Sequence, residues 1–358
     1  DEAENFARSL KAVGVDARIV GDTVRLDSDA FFGLLAATNA KPPGLTLLYG
    51  SDEGDFRVYA SMEGGRMCFY FAVKHRGAWR VAEGLYSKRN IQLWRKERDV
   101  LEAIRSAVTE ALEKLAPKRQ SRLTEVGEPK EYRDEEGNVK VYYLLLYSHH
   151  LTPFLEHAVE DVRAEPADVR LEGRRVVVKA GDVKAEVRFK LLNFGKAEFL
   201  LAQDVRETLA LYMSLKEVGV PVEITPEGVK VDSEALWSLI AAVVERGVPS
   251  GLSAEVIPGV EMLKVYSASG MKLYIFRAEG LHYYFAVKTE KEWRAAGGKR
   301  AKWRVIIAGK AAHTIAEAIN TIYREMGVER RVEVKYDKRK NVPYIQLTNV
   351  DLRLLGLM

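Results

Sequence analysis

Apolar residues recur at helical spacing from Glu97 to Leu115, where Val100, Ile104, Val108 and Leu112 form one stripe, and again from Lys310 to Met326. Each stretch predicts a long amphipathic helix packed on one face of a sheet whose other face is expected to be open. Ahead of each helix the pattern shortens to strand-like runs. They are Leu45 to Leu48, Phe56 to Ser61 and Arg66 to Val73 in the first case, and Glu255 to Ile257, Leu263 to Ser267, Lys272 to Arg277 and His282 to Val287 in the second. These read as an antiparallel sheet. Further upstream the chain predicts a helix ending at Gly14 or Gly219, a short hairpin (Arg18 to Leu26, or Val222 to Val231) and a second helix. That helix opens on Asp27-Ser28-Asp29 or Asp232-Ser233-Glu234, whose carboxylates supply a capping oxygen and the charge that suits a helix N-terminus.

The two series are related by more than order. Ser9-Leu10-Lys11-Ala12-Val13-Gly14-Val15 returns 205 residues on as Ser214-Leu215-Lys216-Glu217-Val218-Gly219-Val220. At the same spacing Val24 to Ser28 meets Val229 to Ser233. Tyr70-Phe71-Ala72-Val73-Lys74 reappears as Tyr284-Phe285-Ala286-Val287-Lys288, with Trp79-Arg80 answered by Trp293-Arg294. Tyr132 and Asn138-Val139 correspond in order to Tyr336 and Asn341-Val342. The fold class expected is therefore α+β: two tandem homologous units, each an antiparallel sheet packed with helices.

Boundaries follow from the same reading. Residues 1–116 form a first core and 117–205 a linker hairpin with an intervening α+β segment. Residues 206–328 form a second core and 329–358 a C-terminal hairpin, a truncated end of the second copy. In the intervening part, Thr152 to Val162 reads as helix, Asp168 to Lys179 and Asp182 to Leu192 as a hairpin pair, and Pro117 to Gly137 as a charged linker or exposed hairpin. No counterpart of Lys140 to Gln203 is visible in the second copy. The absent initiator Met and the early stop of the second copy suggest a piece of a longer protein.

Composition narrows the class. The chain has 358 residues, 47% hydrophobic and 30% charged, with no apolar run long enough to span a bilayer and no signal-peptide pattern at its start, so a cytoplasmic protein is expected. The lone Cys68, in an apolar run, excludes a disulfide framework or thiolate metal cluster. Abundant Lys, Arg and Glu suit a heat-adapted source. A net charge of +4 proves no partner by itself, so only local clustering of cations builds a field.

Such clustering follows each Tyr-Phe-Ala-Val-Lys strand. In the first copy Lys74, Arg76, Trp79, Arg80, Lys88, Arg89, Trp94 and Arg95 interleave cations with aromatics. In the second, Lys288, Trp293, Arg294, Lys299, Arg300, Lys302, Trp303 and Arg304 do the same, with Gly297 and Gly298 able to admit a phosphate close to the backbone. Cations release counterions from phosphates and tryptophan offers a stacking face, so DNA or structured RNA is the partner expected. The residues carrying it are Lys74, Trp79, Arg80, Lys88, Arg89, Lys288, Trp293, Arg294, Lys299, Arg300, Lys302 and Arg304. The plainer alternative is core tryptophans beside an ordinary solvated face. A basic run from Arg330 to Lys340 is matched in the first copy by the acidic Glu131 to Glu136, so the halves need not be equal in function.

Other chemistry is thin. His149, His150 and His157 would share a face only of a helix continuous through Pro153, and no metal site or cofactor is expected from them. No nucleophile elbow, phosphate loop or dinucleotide motif is present. Tandem α+β halves resemble single-chain LAGLIDADG homing endonucleases, which hold metal with an acid at the end of each central helix. Here the second candidate helix, Ala235 to Val244, ends near Glu245, whereas the first, Ala30 to Thr38, runs into Asn39-Ala40 with no carboxylate, so the required pair is incomplete.

The Ser-Leu-Lys-x-Val-Gly-Val helix end, the Tyr-Phe-Ala-Val-Lys strand with its Trp-Arg, and Leu347-Thr348-Asn349-Val350-Asp351 together resemble the PaRep-type paralogous repeat proteins of hyperthermophilic archaea. That resemblance implies a source and no activity. The function expected is nucleic-acid binding by paired basic-aromatic surfaces, one per copy. The alternatives are a non-enzymatic bridging protein, for example one associated with the ribosome, and a metal-dependent nuclease.

Overall fold

The computed structural model describes residues 2–12, 15, 17–21, 23–117, 124–188, 197–247 and 254–358. Gly14, expected to end the first helix, and residues 189–192 of the second hairpin arm lie outside them. The chain divides into two compact units, one comprising Asp1–Val162, Leu201–Leu209 and Ile224–Gly228, the other Arg163–Leu200, Ala210–Glu223 and Val229–Met358. The chain thus passes from one unit to the other several times, and the strictly consecutive boundaries expected from the sequence miss this.

The first unit runs α1 (Glu2–Ala12), β1 (Arg18–Val20), β2 (Thr23–Arg25), α2 (Ser28–Thr38), β3 (Leu45–Gly50), β4 (Phe56–Glu63), β5 (Arg66–His75), β6 (Ala78–Leu85), β7 (Asn90–Arg95), α3 (Arg98–Leu115), β8 (Lys130–Arg133), β9 (Val139–Tyr147) and α4 (Ser148–Ala158). Strands β3-β4-β5-β6 make one antiparallel sheet and β7-β9-β8 another. Asp27 caps α2 as expected, its carboxylate accepting from the Ala30 N–H at 2.8 Å.

Both faces of the four-stranded sheet are covered, against the expectation of an open one. Phe32 and Leu35 of α2 pack on Tyr59, Ala72 and Val81, while on the opposite face the ring of Phe71 meets Phe154 of α4 at 6.2 Å. The reason is legible in β5, where Phe69, Phe71 and Ala72 are all fully buried, a run apolar on both alternating sets rather than on one. β9 is paired along its length with β7, from Asn90↔Tyr147 to Arg95↔Tyr142, so this strand and α4 belong to the first unit and not to an intervening segment. α4 runs through Pro153, and so carries all three clustered histidines. Among the described residues no group of His, Cys, Asp and Glu is arranged to hold a metal.

In the second unit β10 (Ala167–Glu172), β11 (Arg175–Ala180) and β12 (Val183–Arg188) form a three-stranded meander. The expected single hairpin overlooked the Gly173-Arg174 turn, where Gly173 has φ 56°. β13 (Glu198–Leu200), α5 (Val205–Glu217), β14 (Glu223–Thr225) and β15 (Gly228–Val231) follow, with Leu201–Leu209 and Ile224–Gly228 belonging to the first unit. α6 (Ser233–Gly247) is capped by Asp232, which accepts from the Ala235 N–H at 2.9 Å. β16 (Ala254–Ile257), β17 (Val260–Ala268), β18 (Met271–Ala278), β19 (His282–Lys288), β20 (Trp293–Ala301), β21 (Arg304–Ala308), α7 (Ala312–Glu325), β22 (Val334–Asp337), β23 (Val342–Thr348) and α8 (Asn349–Leu354) complete the chain.

One eight-stranded antiparallel sheet, ordered β16-β17-β18-β19-β20-β21-β23-β22, organises this unit. Ile315, Ile319 and Ile322 of α7 pack on Phe285, Val305, Ile307, Ile345 and Leu347. On the other face Trp237 of α6 stacks on Tyr284 with ring centroids 3.7 Å apart. No described helix is long and apolar enough to cross a membrane.

Candidate nucleic-acid interface

The expected cations and aromatics separate into two groups with different surroundings. The first group lies on the β5–β6 hairpin and its counterpart β19–β20, where Lys74 pairs across the strands with Trp79 and Lys288 with Trp293. Trp79 is half-buried against α2, close enough that a β-carbon added at Gly33 would sit 3.3 Å from its Cβ. Trp293 is only 2% exposed and lies 5.5 Å from the ring of Tyr274. Trp293 offers no free face to a base, which corrects the expectation from sequence.

The two arginines beside them hold helices. Arg80 reaches Asp29 in the first turn of α2 at 3.4 Å, and Arg95 grips the same carboxylate with two nitrogens at 2.9 and 3.2 Å. The Val81 N–H donates to Asp29 at 2.7 Å. In the second unit Arg294 donates to Glu234, in the first turn of α6, at 2.6 Å, and the backbone of Ala295 also bonds to that carboxyl. Burial pushes the Glu234 carboxyl up, against the opposing pull of Arg294. Lys288 is likewise occupied, 2.7 Å from Glu245, which Lys272 also reaches at 3.1 Å. Burial works to raise the Glu245 carboxyl, but the two ammonium groups prevail and hold it below the usual range. Glu245 is therefore neutralised by lysines at the very position where a homing-endonuclease-like site would need a metal ligand. Of this group Lys74 alone is exposed without an ion pair among the described residues.

The second group is presented to solvent. At the β20–β21 turn Lys302, with φ 41°, and Trp303, 49% exposed, form the loop. The Arg304 guanidinium lies over the Trp303 ring, 4.9 Å from its centroid, and donates to Gln346 at 3.3 Å. Lys299 is exposed nearby on β20, and Arg300 donates to Asn349 at 3.4 Å. None of these four cations makes an ion pair among the described residues, although Glu279 lies in the adjoining turn, where the Arg300 N–H donates to Leu281.

In the first unit Lys88 and Arg89 are exposed in the turn between β6 and β7. Lys88 lines a pocket of about 220 Å³ with Arg66, Tyr86 and Glu227. β7 leads from that turn to Trp94, which alternates with the buried Ile91 and Leu93 and so faces outward, 42% exposed. Its ring is tilted on Tyr143 at 4.9 Å and meets Tyr132 edge-on at 5.8 Å. Exposed Lys130 pairs directly opposite Tyr143 across β8 and β9.

The glycine pair expected to admit a phosphate is instead packed. A β-carbon at Gly297 would fall 2.2 Å from the Tyr284 ring, and one at Gly298 1.9 Å from the Ile306 carbonyl oxygen. In the basic C-terminal run, Arg330 is consumed by the buried Asp351, at 2.5 and 3.0 Å, while Arg331, Lys335, Lys338, Arg339 and Lys340 are exposed. Comparison with known proteins finds no matching family model, no matching curated protein and no matching solved structure.

Proposed function

We propose that the chain binds nucleic acid through an exposed tryptophan-and-cation cluster on each of two units descended from one duplicated α+β unit. The observation that carries the reading is the β20–β21 turn, where Trp303 is half-exposed with Arg304 stacked on it and Lys299 and Lys302 beside it. Unpaired cations on an exposed face attract a polyanion, and an aromatic ring held among them adds a face for a base. Trp94 with Lys88, Arg89 and Lys130 is the cluster of the first unit.

The duplication is supported by matched devices at matched spacing. Asp27 and Asp232 cap equivalent helices, Asp29 and Glu234 take equivalent arginines, and Gly84 and Gly298 each lie against the backbone of the following strand. Two modest sites on one chain gain from effective concentration when both engage one ligand.

The test is binding of the full chain to labelled duplex DNA, single-stranded DNA and structured RNA over a salt series. Affinity should fall steeply with salt, and the Lys299→Ala, Lys302→Ala, Arg304→Ala triple variant should flatten the logarithmic slope by roughly 2. Absence of binding to all three at low salt would overturn the reading.

A further inference from the structure

We propose that the outward face of β7, β9 and β8 is a stacking platform for unpaired bases, so that the first unit selects single-stranded over duplex nucleic acid; this deepens the function proposed above and rests on it. Register places Asn90, Gln92 and Trp94 of β7, Tyr143, Leu145 and Tyr147 of β9, and Lys130 and Tyr132 of β8 on one side, while Ile91, Leu93, Leu144 and Leu146 turn inward and are fully buried. The outward set is wet: Trp94 is 42%, Tyr132 52% and Tyr147 41% exposed.

A large apolar ring costs free energy in water, and three on one small sheet face are a patch that marks a binding surface. Their geometry matches flat ligands. Trp94 and Tyr143 lie 33° apart in plane and 4.9 Å between centroids, and Tyr132 meets the indole edge-on at 5.8 Å, so the three rings form one cluster on this face. At the other end of the face the Tyr147 ring lies nearly parallel to His149, at 5° and 5.7 Å. Tyr143 and Tyr147 are four residues apart on one strand, about 13 Å, a span that admits two or three successive bases. Gln92 lies between the two ends and Asn90 stands opposite Tyr147, and both carry the amide groups that read base edges.

Charge fits the same ligand. Lys130 stands at the Trp94 end, and Lys88 and Arg89 at the turn that opens β7, none of them in an ion pair among the described residues. Glu131, the nearest acid on β8, alternates to the other face and pairs with Arg133. A duplex has its bases already stacked and paired and presents phosphates to a flat sheet, so it can use the cations but not the rings. A single strand uses both. On the second unit the corresponding positions hold Arg304, Ile306 and Ala308 on β21 and Tyr344, Gln346 and Thr348 on β23, and lack the indole at the Trp94 position.

The experiment compares a labelled oligothymidine with a duplex of equal length on the full chain at one salt concentration. The unaltered chain should bind the single strand more tightly. Trp94→Ala and, separately, Tyr132→Ala should weaken single-strand binding roughly tenfold while changing duplex binding less than about twofold, and Trp94→Phe, which keeps a stacking ring, should restore most of the loss. Far-ultraviolet circular dichroism on each variant establishes that it is folded. Both probes bound by the unaltered chain, with Trp94→Ala and Tyr132→Ala altering neither or altering both equally, would overturn the platform while leaving the general function standing. Neither probe bound would overturn both.

Discussion

His150 provides a pH dependence whose size follows from its surroundings. It is 2% exposed in the first turn of α4, and its Nδ1 accepts the Tyr147 N–H at 3.1 Å, which leaves the proton on Nε2. Among the described residues no acceptor meets that Nε2 in good hydrogen-bond geometry. Burial first, and then the His149 ring beside it, pushes the imidazolium pKa down to about 4, a backbone contact from Glu125 opposing. The folded value lies below the ordinary 6.5, so the unfolded chain takes up the proton first as pH falls. The stability His150 contributes is complete above the unfolded value and is lost as pH drops from 6.5 toward 4. At pH 5 the loss is about 2 kcal/mol, from 1.36 kcal/mol per pKa unit and the two titration curves. Urea unfolding at pH 7.5, 6 and 5 on the full chain and on His150→Asn measures it. Asparagine keeps a side-chain acceptor for Tyr147 and does not titrate, so its baseline stability falls but the pH-dependent loss should shrink by about 2 kcal/mol. Equal losses in the two proteins between pH 7.5 and 5 would refute the reasoning.

Further outcomes follow from the helix anchors and the glycines. Asp29→Ala removes an acceptor shared by two arginines and a backbone N–H and should cost about 3 kcal/mol, whereas Glu234→Ala, with one arginine, should cost less; thermal unfolding ranks the two, and the reverse order would contradict the assignment. Gly298→Ala should destabilise by about 3 kcal/mol, because its new methyl would meet the Ile306 carbonyl oxygen at 1.9 Å. Gly84→Ala, with its closest approach at 3.0 Å, should cost about 1 kcal/mol, and denaturant midpoints separate them. Asp351, buried and gripped by Arg330, Thr348 and Tyr323, has a carboxyl held below the usual range despite its burial. Its contribution is present above the ordinary carboxylate value and vanishes as pH falls through the lowered one, so Asp351→Asn should make acid unfolding less steep.

Local signals carried much of the fold. The caps at Asp27 and Asp232, the stripes of α3 and α7 and the alternating strands stand where the pattern puts them, since each depends on neighbours a few residues away. What failed was non-local. The pairing of β9 with β7 joins residues some fifty positions apart, and no property of Val139 to Tyr147 alone names its partner. The covering of the sheet's second face by α2 matches β5, which is apolar on both alternating sets. In the site, Trp79 and Trp293 recur in the sequence, yet Trp79 packs against Gly33 of α2 and Trp293 against Gly219 and Tyr274, so both serve packing. Trp94 was within reach, since in Ile91-Gln92-Leu93-Trp94 the alternation already sets the indole opposite two aliphatic residues. Its association with Tyr132 and Tyr143 needed the register.

The two sheets differ in one respect that bears on motion. In the second unit β20 passes into β21 with the ladder intact, Arg300 pairing with Val305 and Ala301 with Arg304. In the first unit the corresponding ladder stops at a lone bridge between Ser87 and Asn90, and the strands on either side form separate sheets. A seam of this kind divides a sheet into two foldons, so amides of β8 and β9 should exchange with solvent through an opening that spares β4 and β5, while amides across β18 to β23 exchange together. The half that bears the aromatic face is then expected to open more readily than the continuous sheet of the second unit.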